Sequence, residues 1–206
     1  MDLFTIGHSN YSVDRLIDML RYYHINCIVD IRGTPYSKYN IQFNKETIRQ
    51  TLIDQGYKYI YMGKEFAAQR EDKRLYKNDG YADFEKVIYD KDFLNGIERL
   101  KSGCKKGYRI ALMGAMQDPI NCHRCILLGR ALQEEGFNLK HICDDYSLAS
   151  QEDLEERLLE KYYYNKDQIT VDVLLGTELS REEMLGECYR QSNKEIGYRV
   201  EKLKRK

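Results

Sequence analysis

The stretch Asn26-Cys-Ile-Val-Asp-Ile31, followed directly by Arg32-Gly-Thr-Pro-Tyr-Ser37, decides how the chain is read. Its β-branched run is too short for a helix, and it ends in a polar loop holding one of the two prolines, so it reads as a strand that opens into a loop. Upstream, Tyr11, Leu16, Met19, Leu20 and Tyr23 recur at helical spacing, with Ser12 as N-cap and Arg15 where a capping box wants an acid or amide. Ahead of them Leu3 to Ile6, ended by Gly7, reads as another strand. Downstream, Lys45 to Gln55 reads as a helix closed by Gly56, and Tyr57 to Met62 as a strand stopped by Gly63.

The alternation continues. Lys64 to Gly80 reads as a long charged surface loop or a loosely held helix, Tyr81 to Leu100 has helical spacing with a break near Lys91, and Tyr108 to Met113 is a strongly apolar strand. Asp118 and Pro119 suit an N-cap and first helical residue, with the helix running to Gly136, and Phe137 to Cys143 makes a fifth strand. The fold expected is α/β in three layers: a mainly parallel five-stranded sheet of Rossmann-like topology, flanked by helices. Residues 1–145 form this core. Residues 146–206 read as a C-terminal extension packed on it: a helix from Gln151 to Tyr164, an irregular piece with Val171, Val173, Leu174 and Leu175, and a helix near Ser180 to Arg190.

Composition narrows the function classes. The 206 residues carry 33 Lys plus Arg against 33 Asp plus Glu, so there is no overall electrostatic footprint for nucleic acid or an anionic membrane. The cationic tail Lys202, Lys204, Arg205 and Lys206 reads as a solvated terminus. Neither a signal-peptide pattern nor a run of transmembrane length is read, and six irregularly spaced cysteines suit reduced thiols, so a cytoplasmic protein is expected. Nothing matches a P-loop, a dinucleotide fingerprint or a kinase set, so ATP and NAD are not indicated.

In open parallel sheets, ligands bind at the carboxyl ends of strands, where loops converge and helix N-termini point. That rule selects His8 and Ser9 after the first strand, Asp30 and Arg32 at the second, and Cys122, His123 and Arg124 after the fourth. Taken functionally, Arg32 and Arg124 hold a phosphate or carboxylate, His8 or His123 transfers a proton, and Cys122 is a thiolate nucleophile. Each has a plainer alternative: His8 as a loop hydrogen-bonder, Asp30 with Arg32 as a structural ion pair, Cys122 as ordinary packing. Cys122-His-Arg-Cys125 also has CxxC form, but it lacks a second paired motif for zinc, and a helix begun at Asp118 would not suit a thioredoxin-like pair.

At these residues the chain resembles the bacterial and archaeal family called domain of unknown function 488. The resemblance rests on Thr5-Ile-Gly-His-Ser9, Val29-Asp-Ile-Arg32 with Pro35 and Ser37, Gln42-Phe-Asn-Lys45, Met62-Gly-Lys-Glu-Phe66, Arg70-Glu-Asp72, Asp118-Pro-Ile-Asn-Cys-His-Arg124 and Asn193-Lys-Glu-Ile-Gly-Tyr-Arg199. It marks Ser9, Arg32, Ser37, Asn44, Lys45, Arg70 and Arg124 as ligand-binding candidates beside the catalytic candidates His8, Asp30, Cys122 and His123. The sequence departs from the family pattern at Gly114 and Met116, where a cysteine and a glutamate are common, and at Ala67 and Gln69, where a glycine and an arginine are.

Three functions follow as expectations. The leading one is an enzyme acting on or binding a phosphorylated, nucleotide or nucleic-acid ligand, with Tyr36 and Tyr39 placed to stack on a base. The second is a catalytically degenerate binding or regulatory protein, motivated by Gly114 and Met116. The third is metal or heme ligation through His8, Cys122 or His123. The cofactor and the oligomeric state are not specified by the sequence.

Overall fold

A computed structural model describes residues 1–164 and 179–200. Strands β1 (Asp2–Gly7), β2 (Cys27–Asp30), β3 (Lys58–Tyr61), β4 (Ile110–Gly114), β5 (Asn138–Ile142) and β6 (Leu148–Ala149) form one sheet in the order β3-β2-β4-β1-β5-β6. All neighbours run parallel except β5 and β6. The fold is the expected α/β sandwich with one strand more, because the turn after β5 lets Leu148–Ala149 pair back against His141 and Ile142.

Alternation along the strands explains the layers. Phe4, Ile28, Ala111 and Met113 point to one face, where α1 (Val13–Tyr22) and α2 (Lys45–Asp54) bury Leu16, Leu20, Ile48 and Leu52. Leu3, Cys27, Val29, Ile110 and Leu112 point to the other, against Phe93, Leu132 and Leu154. These come from α5 (Lys91–Lys105), α6 (Arg130–Glu134) and α7 (Gln151–Leu159). Two short helices, α3 (Gly63–Phe66) and α4 (Phe84–Val87), lie between β3 and α5, and α8 (Arg181–Ile196) packs on α7. The break expected near Lys91 separates α4 from α5.

One boundary differs from the sequence expectation in a way that matters. Asp118 does cap a turn, accepting from the Ile120 N–H, but that turn is a three-residue 3₁₀ piece, Pro119–Asn121. The chain then extends at Cys122 (φ −136°, ψ 143°) and starts a new helix, wound as a π-helix over Arg124–Gly129 before it becomes α6. Cys122 therefore stands just before a helix, not inside one. α8 also runs beyond Arg190, to Ile196. The expected irregular piece at Val171, Val173, Leu174 and Leu175 and the cationic tail at Lys202, Lys204, Arg205 and Lys206 lie outside the described residues. Among the described residues no helix is long and apolar enough to cross a membrane.

The register levels the strand ends. Gly7 pairs with Gly114 and Asp30 with Met113, so β1, β2 and β4 deliver their following residues to one edge. The chain reverses direction across the sheet between β4 and β1, which is where open α/β sheets form their ligand crevice.

Candidate functional site

At that edge lies an open cavity of about 640 Å³. His8, Ser9, Arg32, Ser37, Cys122 and His123 all line it, so six candidates from three separate segments converge. Asn10, Asn40 and Asn121 add amide groups, Met116 and Tyr36 add apolar surface, and among the described residues no carboxylate belongs to the lining.

Beneath the cavity sits a saturated ionic core. Asp30 is fully buried, and its Oδ1 accepts from the Arg32 main-chain N–H (3.1 Å) and Nε (2.9 Å). Oδ2 accepts from Arg32 Nη2 (2.6 Å) and the Tyr59 hydroxyl (2.7 Å). Arg32 Nη1 donates to the Phe43 carbonyl (2.8 Å) and to His8 Nε2 (3.0 Å), leaving one Nη2 hydrogen uncommitted. A guanidinium can only donate, so His8 Nε2 is an acceptor and Nδ1 carries the proton, given to the Ser9 carbonyl at 3.0 Å. Burial, with Arg32 beside it, pushes the His8 imidazole down to about 4. Phe43 stacks on its ring at 4.2 Å, and the turn that follows forces Ser9 to φ 39°, an unusual conformation for a residue with a Cβ.

The thiol is set differently. His123 Nε2 donates to the Ile31 carbonyl at 3.1 Å, which turns Nδ1 toward Cys122 Sγ, 3.8 Å away. Burial alone would raise the thiol. The charges of His123 and Arg124, with hydrogen bonds from the His123 ring and the Arg124 main chain, outweigh it and bring Cys122 down to about 6. Burial opposes protonation of His123, but the facing sulfur overrides it and shifts the imidazole upward. Each of the two therefore favours the charged form of the other. Cys125 is the contrast: buried at the helix interior against Gln151, its thiol is pushed up to about 12.

Arg124 lies behind this pair and is fully buried. Nη1 donates to the Met116 carbonyl and Nη2 to that of Gln117 (2.6 Å), drawing the loop after β4 over Gly7. A Cβ at Gly7 would stand 1.8 Å from the Met116 oxygen, so the glycine of the Gly7-His8-Ser9 turn is required by close approach.

Among protein-family models, the one described as "Domain of unknown function DUF488" matches residues 12–131. The chain belongs to this family. No curated protein and no solved structure matches it. The family match runs from α1 to the start of α6 and takes in Asp30, Arg32, Ser37 and Cys122 to Arg124; His8 and Ser9 precede it, and β5, β6, α7 and α8 follow it.

Other candidates serve the DUF488 pocket indirectly or lie away from it. Asn44 accepts the Ser37 N–H through Oδ1 (2.7 Å) and so shapes the loop, while Lys45 places its ammonium over the Tyr61 ring at 3.8 Å. Arg70 lines a separate cavity of about 560 Å³, bound to Asp90 and to the carbonyls of Lys64 and Glu65. Tyr59, Phe43, Ile196 and the Ile31 carbonyl are site components that the sequence reading did not select. Tyr59 carried a signal, since Tyr57, Tyr59 and Tyr61 recur with the period of a strand. Ile196 brings the C-terminal helix into the lining. Among the described residues no group of three or more His, Cys, Asp or Glu side chains is arranged to hold a metal.

Proposed function

We propose that the protein is a thiol-dependent enzyme in which the Cys122 sulfur attacks an electrophilic acyl carbon of a small polar ligand. The observation that carries this is the trio of Cys122 Sγ, His123 Nδ1 at 3.8 Å, and the Ile31 carbonyl that fixes the ring through Nε2: nucleophile, base and orienting group. In the step, sulfur bonds to the acyl carbon and the leaving group departs with its bonding pair and takes the proton held on His123; water then gives a proton to His123 and bonds to the acyl carbon, the carbon–sulfur bond breaks, and the acid and the Cys122 thiolate are released. His8 and Asp30 act by positioning. His8 is neutral with both ring nitrogens occupied, and Asp30 is sealed below Arg32.

The lining favours a neutral or singly charged ligand over a polyphosphate. Most of Arg32 is spent on protein acceptors, and Arg124, Lys45 and Arg70 do not line the cavity, so the pocket offers amides and one spare Arg32 N–H. Tyr36, in the lining, supplies flat apolar surface for a planar group on the ligand.

Intact-mass spectrometry after exposure to activated esters and thioesters, in parent and Cys122→Ser, tests the proposal. An acyl adduct on Cys122 with turnover lost in the variant is expected. Turnover equal in both sinks it. Saturable binding without any adduct would favour the noncatalytic scaffold, a reading motivated by Gly114, where the family commonly carries a cysteine.

A further inference from the structure

A buried guanidinium is expensive unless its charge is balanced, and carbonyl acceptors satisfy its hydrogen bonds without neutralising it. Arg124 is fully buried, its Nε has no hydrogen-bond partner, and among the described residues it forms no ion pair with a carboxylate. The titratable groups that face it are His8 from the end of β1, Tyr11 from the loop ahead of α1, His141 from β5, Cys122 and His123 from the residues just before its helix, and Cys125 from the helix itself. At neutral pH four of these carry no charge: burial holds both imidazoles unprotonated, and it raises the Tyr11 phenol and the Cys125 thiol. Asp30 is taken by Arg32, and Asp118 by Arg157 at 2.8 Å.

His123 is shifted toward its cation, so of the groups named Cys122 is the one left to supply an anion. The point where a Cβ on Gly114 would lie is 3.1 Å from Cys122 Sγ and 3.6 Å from Arg124 Nη1, so the missing side chain leaves sulfur and guanidinium facing across one gap. We infer that Arg124 is the counter-ion of the Cys122 sulfur, a positioning residue that keeps the nucleophile charged and ties it to the loop at Met116, and does not touch ligand. This rests on the reading of Cys122 as the nucleophile. It gives the buried arginine of the Cys122-His-Arg124 stretch a role that its position behind the cavity allows.

The test is titration of thiolate ultraviolet absorbance in the parent, Arg124→Gln and Arg124→Lys, each referenced to its Cys122→Ser counterpart. Glutamine keeps a donor for the loop carbonyl but removes the charge, and lysine keeps the charge. At the parent's midpoint, the thiolate fraction is expected to fall about tenfold in Arg124→Gln and to stay within about threefold in Arg124→Lys. Equal fractions in parent and glutamine variant, or equal losses in both variants, overturn the inference. A parent that itself titrates as an ordinary thiol, at about 8.5, instead overturns the underlying reading of Cys122.

Urea midpoints of the parent and Cys122→Ser give a readout that does not need the arginine variants to fold. If the thiolate balances Arg124, the parent is the more stable above the thiol's titration and the two converge below it. A difference independent of pH would contradict the pairing.

Discussion

The Nε2 atom of His8 accepts a hydrogen bond from Nη1 of Arg32 at 3.0 Å, and this one contact fixes the tautomer, the charge and the orientation of the imidazole. Arg32 in turn is held by Asp30, whose four accepted hydrogen bonds come from Arg32 and Tyr59. Replacing Asp30 by Asn leaves the guanidinium buried without its anion. A loss of roughly 3–5 kcal/mol in urea unfolding is expected. Tyr59→Phe removes a single donor and should cost about 1–2 kcal/mol.

Acid sensitivity follows from two imidazoles. Burial pushes His8 down to about 4 and His141 to about 3, whereas in the unfolded chain both titrate near 6.5. Between these limits the unfolded state binds protons that the folded state refuses. Stability should therefore be full above about pH 6.5 and fall as the pH drops through the window toward 4 and then 3. Urea midpoints across this range should flatten in His141→Gln relative to the parent, which places that residue's share.

His141 belongs to a network that ties the C-terminal helices to the sheet. Thr5 Oγ1 lies 2.8 Å from Nδ1, Nε2 lies 2.9 Å from Gln151 Oε1, and Gln151 Nε2 donates to the Tyr189 hydroxyl at 2.8 Å. Tyr189 donates on to Glu155 at 2.8 Å. Gln151→Leu strands the Tyr189 and His141 groups and should cost about 1–3 kcal/mol per orphaned group. The two effects are expected to couple in a double-mutant cycle with Tyr189→Phe.

The gap at Gly114 admits a chemical probe. In a disulfide, the Cβ of one cysteine stands about 3 Å from the sulfur of the other, and the 3.1 Å from the Gly114 Cβ position to Cys122 Sγ meets that requirement. Gly114→Cys should therefore form an internal disulfide with Cys122 on mild oxidation, protecting both from alkylation. Free thiols at both positions after oxidation would show that the two do not face each other.

Much of this was legible in the sequence because it is written in local patterns. Strands β1, β2 and β4 are largely apolar runs bounded by Gly or polar residues, and α1 and α2 carry the helical period. The break before α5 showed in the spacing around Lys91. β6 did not, since two residues carry no periodicity and pair only because a turn returns them to β5. The helix start after Cys122 was hidden because Asp118 and Pro119 do supply a true cap, of a turn that ends within three residues. The strand-end rule gathered His8, Arg32, Cys122 and His123 correctly into one cavity. It could not tell which way an arginine points: Arg32 and Arg124 turn inward because Asp30 and the loop after β4 offer acceptors that sequence distance conceals. Arg70 was selected on resemblance alone, and its partner Asp90 holds it at another cavity.

We expect Cys122 to be a thiolate below neutral pH, because the charges of His123 and Arg124 outweigh its burial. Alkylation by iodoacetamide, mapped by peptide mass spectrometry over a pH series, measures it directly. Modification at Cys122 is predicted to rise through a midpoint of about 6, to outpace every other cysteine at pH 7, and to shift upward in His123→Gln. A midpoint at the ordinary thiol value of about 8.5, or a profile unmoved by His123→Gln, would contradict it.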